Sequence, residues 1–469
     1  MRFSIFALRF TIHAALGFAV ALLIEWPDVA QGQLPRPSTN ANTNDIHQID
    51  LSAALRLAGA QNLDIRIARE KLAEARANNE SATWSFFPWL GAGVGYRRHD
   101  NFIQNVEGKI IDVHKDSYTV GPTFTAQVDL GDAIFKKLAV HQLVKAADFA
   151  LEAQRQDSLL AAAQGYFDLA RAQGAVGVAR EAVSISTNLY GQVQQAVGIG
   201  IAFKGDLLRV QVQTERNRLT LRQAQEQRRV AAARLSQTLH LDPAIDLAAQ
   251  DADLVPLSLV DTNSTLEALV MQAFAGRPEL KQNQAQLEAA RQARKGARYG
   301  PLIPSLGAQI FVGGLGGSSD AAPSRFGESE DYQFTLGWRI GPGGLFDRGR
   351  IHAAEARLNI TRLGGDRLSD DITRQVIEGR ARVDSLTDQL STARRAIQAG
   401  EETLRLTRER KQFGVGAVLE DIQAEQELTR ARLDYLNVLA EFNKSQYQLS
   451  KAVGGMATAA DPTQPREPH

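Results

Sequence analysis

The 469-residue sequence contains no cysteine, which excludes disulfides, thiol nucleophiles, thiolate metal sites and a lipid-modified N-terminal cysteine. It also lacks net charge. Its 53 Lys and Arg balance 53 Asp and Glu, so no long-range field would hold the chain on nucleic acid. Beyond the N-terminal region no hydrophobic run approaches the roughly 20 apolar residues of a membrane-spanning helix. A mature chain that enters a bilayer must therefore do so with β-strands closed into a barrel. Proline is missing between Pro122 and Pro243 and again between Pro342 and Pro462, so two stretches of nearly equal length can run as very long helices.

What is present begins with a compartment signal. Arg2 and Arg9 precede an apolar run from Ile12 to Ile24, the basic and hydrophobic layout of a secretory signal peptide. We expect a signal at 1–30, with Asp28-Val29-Ala30 an unclear cleavage site, and an N-terminal linker at 31–49. A first repeat over 50–240, an inter-repeat linker over 241–264, a second repeat over 265–455 and a disordered tail over 456–469 complete the plan. Each repeat reads as a shorter helical segment (50–85 and 264–298), two strands, then long helices. Three local matches lie 211 to 216 residues apart: Phe86 to Val94 with Leu302 to Ile310, Ile134 to His141 with Leu345 to His352, and Val197 to Gly200 with Phe413 to Gly416. Such recurrence marks an internal duplication.

Strict alternation of apolar and small or polar residues predicts strands over 89–97, 117–130, 305–313 and 331–341. In the last, Tyr332, Phe334, Leu336, Trp338 and Ile340 alternate with Gln333, Thr335, Gly337 and Arg339. The intervening loops, 98–116 and 313–330, are polar and glycine-rich. Trp84, Trp89 and Trp338, three of the four tryptophans, sit in or beside these strands, and with Tyr118 and Tyr332 they are candidates for an aromatic girdle at a membrane interface. Four strands cannot close a transmembrane barrel, whose smallest form has about eight, so the chain must oligomerise. Three copies would supply twelve strands. A soluble sheet packed on the helices is the competing reading of the same pattern.

A helix from Gly131 to Val197 would measure about 100 Å at ~1.5 Å per residue. Heptad seams run along Leu428, Ala431, Tyr435, Val438, Phe442, Ser445, Leu449 and Ala452, and along Leu207, Val210, Thr214, Asn217, Leu221, Ala224, Arg228, Ala231 and Leu235. Their small and polar members suit helices laid side by side in a wide wall with one wet face. With these elements in order, the sequence resembles the outer-membrane efflux protein family, the TolC-like channels. The resemblance is carried by "GPGGLFDRGRIHAAEARL" (Gly341 to Leu358) and by two helix-turn-helix tips, "AVGIGIAFKGDLLRVQ" (Ala196 to Gln211) and "QFGVGAVLEDIQAEQ" (Gln412 to Gln426).

That resemblance implies a mainly α fold with a small β part: a homotrimer with a twelve-stranded outer-membrane β-barrel and a helical tunnel in the periplasm. It implies a passive exit duct in a tripartite efflux or type I secretion system, partnered by a periplasmic adaptor (membrane fusion) protein, an inner-membrane transporter and outer-membrane lipid. No nucleic acid, cofactor, metal or catalytic residue is expected. In the family, carboxylates just past the tips ring the entrance, and the matching positions are Asp206, Asp421 and the neighbouring Glu420. Phe413 matches an aromatic gate position, whereas Val418 stands where an arginine latch is common. Gly198, Gly200, Gly414 and Gly416 belong to the turns that would contact the adaptor. The acids have a second reading as helix-start residues, and a periplasmic coiled-coil scaffold or adaptor without a pore is the alternative function.

Overall fold

The computed structural model describes residues 46–87, 89–242, 245–250, 254–261, 264–319, 322–412 and 418–456. The signal peptide, most of the N-terminal linker and all of the tail except Met456 lie outside them. In the first half, β1 (Ile46–Ile49) leads into α1 (Leu51–Gln61) and α2 (Leu63–Trp84). Then come β2 (Trp89–His99), a small β3–β4 hairpin (Phe102–Gln104, Ile110–Asp112), β5 (Lys115–Asp129), α3 (Leu130–Gly198) and α4 (Lys204–Leu239). After β6 (Asp246–Ala249) the plan recurs as α5 (Leu266–Gly276), α6 (Pro278–Tyr299), β7 (Ser305–Ser319), β8 (Ala322–Gly337), α7 (Arg348–Gln412) and α8 (Val418–Ala452).

Each segment expected as one shorter helix is divided in two. Asn62 leaves helical geometry at ψ 131°, and its side-chain oxygen accepts from the amides of Asp64 and Ile65 to start α2. In the second half Arg277 is extended and Pro278 opens α6, the position where its missing N–H costs nothing. Proline thus breaks the second segment, and a capping amide breaks the first.

β2, β5, β7 and β8 form one antiparallel sheet in that order. Its register brings even-numbered residues together on one face: Leu336, Leu306 and Val128 share a row, as do Phe334, Ala308 and Ala126, and Tyr332, Ile310 and Phe124. The other face carries Thr119, Thr123, Thr125, Gln309 and Gln333. The strands of the second half are longer than the alternation suggested. The expected loop 313–330 is mostly strand, because Gly314 and Gly316 lie beneath the rings of Phe326 and Tyr118. Those rings stack 5.9 Å apart and cover backbone that glycine leaves bare.

α3, 69 residues long, is flanked by α2 and α4 of its own half and by α6 and α8 of the other. Polar seam residues of α4 find partners on α3 and β6. Asn217 donates to Ala182 O at 3.2 Å, Thr214 to Ser186 O at 3.2 Å, and Arg228 grips Asp246 through two bonds of 3.0 and 2.6 Å. The crossing of α3 with the turn before β7 depends on Gly131, where a Cβ would collide with the backbone of Gly300.

The stretch expected to be a linker is ordered where it is described. β6 pairs in parallel with β1, Ile46 opposite Asp246 through Ile49 opposite Ala249, so residues 46–49 belong to the fold. Gln173 of α3 both donates to and accepts from Ala249 backbone, at 3.1 and 3.0 Å. Met456, expected in the tail, is buried with Tyr166, Leu235, Leu239 and Tyr447 in the largest apolar cluster. α1, α3, α4 and α8 all contribute residues to that cluster.

Candidate functional site

The first tip is a tight reversal between α3 and α4. Gly200 takes φ +78°, the left-handed conformation glycine tolerates best, and the amides of Ile201 and Ala202 both return to Ala196 O at 2.9 and 3.2 Å. Gly198 ends α3. Around the turn Ile199, Ile201 and Phe203 are each more than two-thirds exposed, an apolar patch at the end of an otherwise polar helix pair. Asp206 lies in the first turn of α4, where the helix dipole favours a negative charge. It does not cap the helix: its carboxylate pairs with Arg209 at 3.0 Å.

At the second tip, Phe413, Gly414 and Gly416 lie outside the described residues. Glu420 and Asp421 occupy the first turn of α8. Glu420 is exposed and pairs with Arg410 at 3.3 Å. Asp421 is buried, with Arg408 Nε at 4.0 Å. Both tips are held together by Leu189 and Val193 of α3, Val210 of α4 and Ile422 of α8.

One turn beyond Asp421 is a residue that sequence reasoning passed over. Glu425 is 6% exposed and its Oε1 is buried without a hydrogen-bond partner. Burial, then the neighbouring Asp421 and Glu181 of α3, push its carboxyl up to about 7, against the opposing pull of Arg408. Deeper still, Arg432 joins Glu181 at 2.8 Å and Glu401 of α7 at 3.2 Å. The available signal was two acids four residues apart on one face of α8, a spacing that destabilises an exposed helix.

The aromatic candidates divide. Tyr118 and Tyr332 lie on the even face, and Tyr332 donates to Glu330 at 2.9 Å. Trp338 stands just past β8, its indole donating to Leu302 O at 3.1 Å. Trp84 ends α2 and packs 5.1 Å from Phe87. Trp89 is a correction: it pairs with Thr125 on the polar face, and its ring lies over Gly91, because its odd number sets it opposite to Tyr332. Among the described residues no three His, Asp or Glu side chains are placed to hold a metal ion, and no helix is long and apolar enough to cross a membrane.

The family model for outer membrane efflux protein matches residues 54–239 and 269–455, so both halves answer to it. The chain belongs to the outer membrane efflux protein family. That family comprises transport conduits of the outer membrane that extend into the periplasm. Protein CyaE of Bordetella pertussis is 30% identical over 226 residues, 47% of this chain and 46% of that protein. The chain thus matches just under half the length of that curated relative. A membrane protein from Pseudomonas aeruginosa superposes with a TM-score of 0.73 at 19% identity, covering 87% of this chain and 93% of the other. The CmeC outer membrane channel of Campylobacter jejuni gives 0.72 at 16% identity over 86% and 85%. These likenesses show the fold.

Proposed function

We propose that this chain is the exit duct of a tripartite efflux or type I secretion system, a homotrimer in which twelve strands line the outer-membrane passage and the long helices wall a periplasmic tunnel. The observation that carries it is the sheet. Its even face, with Val94, Tyr332 and Phe334 each at least 60% exposed, is covered by no helix among the described residues, and the outer edges of β2 and β8 have no partner. A soluble scaffold would bury that face; a barrel turns it to lipid and pairs those edges.

The entrance ring in this reading consists of Asp206 and Glu420, which reach solvent at the tips, while Asp421 stays inside the protomer. The exposed Ile199, Ile201 and Phe203 beside Gly198 and Gly200 offer the surface for a periplasmic adaptor, which links the duct to an inner-membrane transporter. Single-channel conductance of the detergent-purified trimer in a planar bilayer tests the duct. Cation-selective openings whose selectivity falls in Asp206→Ala/Glu420→Ala are expected, since a ring of acids attracts cations. A properly trimeric sample without conductance would overturn the reading in favour of the scaffold.

A further inference from the structure

The first hairpin of the sheet does not end where β2 does. In β2 and β5, Arg98 lies opposite Asp116 and His99 opposite Lys115. In β3 and β4, Phe102 lies opposite Asp112 and Gln104 opposite Ile110. The two registers are one unbroken count. Between them Val113 N donates to Asn101 O at 3.0 Å, and Asn101, at φ +86°, bends the ribbon without adding a residue to either side. β3 is therefore β2 continued past a kink. Its outer edge, like that of β2, has no partner among the described residues.

At the opposite edge of the sheet, β8 reaches further than β2. Within one chain the two halves join with Phe124 opposite Ile310. Carried over by the repeat, that register sets Leu336 opposite Val94 of the partner subunit. Counting on places Asp331 opposite His99 of the partner subunit, where that strand stops. Residues 322–330 of β8 then rise past it with their outer edge open, although their inner edge is laddered to β7 from Ser319 to Val312. An open edge of that length invites another strand. The side chains there are also uncovered. Phe326 is 62% exposed even with Tyr118 stacked on it, and Phe102 of β3 is 69% exposed. Gly327 has open space where a Cβ would stand, whereas Gly314 and Gly316 of β7 lie beneath rings.

We propose that the β3–β4 hairpin is a clasp between subunits, each copy adding its β3 as a strand to the free edge of the next copy's β8. The shared count sets Phe102 of the partner subunit opposite Glu328 and diagonal to Phe326, a separation that aromatic side chains span. It also lays Ile103 of the partner subunit over Gly327 on the other face, supplying the cover that this glycine lacks. The second half has no such arm, since β7 and β8 run directly into their turn at Ser319 and Ala322. The clasp therefore recurs three times around the mouth. It carries the wall of the duct past the end of β2 and closes the notch that a short strand leaves at each junction. The inference rests on the trimeric barrel of the exit-duct reading and gives its outer rim a defined contact.

The test is thiol cross-linking of the full-length trimer in detergent. Phe102→Cys with Glu328→Cys should give covalent dimers and trimers on denaturing gels, because opposed positions bring Cβ atoms within about 4.5 to 5.5 Å. Inside one chain β2 and β8 stand at opposite edges of the sheet, roughly 14 Å apart at ~4.8 Å per strand, so such products report contact between copies. Phe102→Cys with Ser324→Cys, displaced by four residues or roughly 13 Å along the strand, should give none. A second measurement uses no cysteine. Phe102→Glu sets like charges opposite each other and should speed hydrogen exchange over residues 322–330 while leaving 331–337 as they are. Leu336→Cys with Val94→Cys reports the barrel junction itself. Cross-linking there but not between positions 102 and 328, cross-linking at Ser324 in place of Glu328, or exchange over 322–330 that ignores Phe102→Glu would each overturn the clasp and leave the duct standing. No cross-linking at either site in a sample shown to be trimeric would overturn the clasp together with the barrel register on which it rests.

Discussion

Asn443 is fully buried on α8 and uses both ends of its amide. Its Oδ1 accepts from Leu257 N at 2.9 Å and its Nδ2 donates to Val255 O at 2.9 Å, while Gln446 one turn on accepts from Leu259 N at 3.2 Å. Together with Gln173 on the other half, these amides stitch the inter-repeat strap to the helices. Asn443→Ala removes both bonds from the strap, leaving the Leu257 N–H and the Val255 carbonyl without this partner, at a cost of about 1 to 3 kcal/mol. The expected result is a lower denaturant midpoint together with faster exchange at the Leu257 amide. A midpoint loss without faster exchange there would assign the cost to a cavity instead. None of this was legible in the sequence: the heptad seam placed Phe442 and Ser445 inward, but polar residues beside a seam read as wet surface until the strap that covers them is seen. Glu425 escaped for the same reason, since Asp, Glu and Gln are abundant on both faces of these helices.

At the scale of elements, period-two alternation located all four long strands and their apolar face, because parity survives errors of length. It misplaced ends. β7 and β8 run through glycines that composition assigns to a loop, and rings from β5 and β8 supply what those glycines lack. Parity also corrects Trp89, whose indole belongs to the polar face. The division of faces makes a paired prediction. Phe334→Lys sets a charge toward lipid and should cost about 2 to 4 kcal/mol if it sits near the bilayer midplane, whereas Gln333→Lys, one residue away, faces the other side and should be near neutral. Folding of each variant into lipid bilayers, followed by urea titration, measures the difference. Equal losses at both positions would show that the even face is not the lipid face.

For the whole described unit, the duplication explains why a single copy is incomplete. α3 packs on helices from both halves, whereas α7, its counterpart, packs on α5, α6 and α8 of its own half and meets α3 through the Arg350–Asp132 ion pair at its start. It leaves Ile360, Leu363 and Leu406 exposed, just as α2 and α4 leave Ile67, Leu208 and Leu219 exposed. The repeat says what each edge expects: the next copy's first half should meet α7 as this copy's second half meets α3. The same logic fixes a register that no single chain displays. Leu90 lies opposite Phe124, and Leu306 lies opposite Leu336. Because the Phe86 to Val94 stretch matches Leu302 to Ile310, Leu336 is the counterpart of Phe124 and Ile310 the counterpart of Val94. Phe124 pairs across the halves with Ile310, so Leu336 should pair with Val94 of the partner subunit. The chain has no cysteine of its own, which leaves a clean background for cross-linking. Opposed cross-strand positions bring Cβ atoms within about 4.5 to 5.5 Å, in reach of oxidation or a short thiol cross-linker. Leu336→Cys with Val94→Cys should therefore give covalent dimers and trimers on denaturing gels. Leu336→Cys with Leu90→Cys, offset by four residues or roughly 13 Å along the strand, should give none. Cross-linking at Leu90 instead would mean that the subunit junction departs from the register of the internal one, and that the barrel is less symmetric than its sequence.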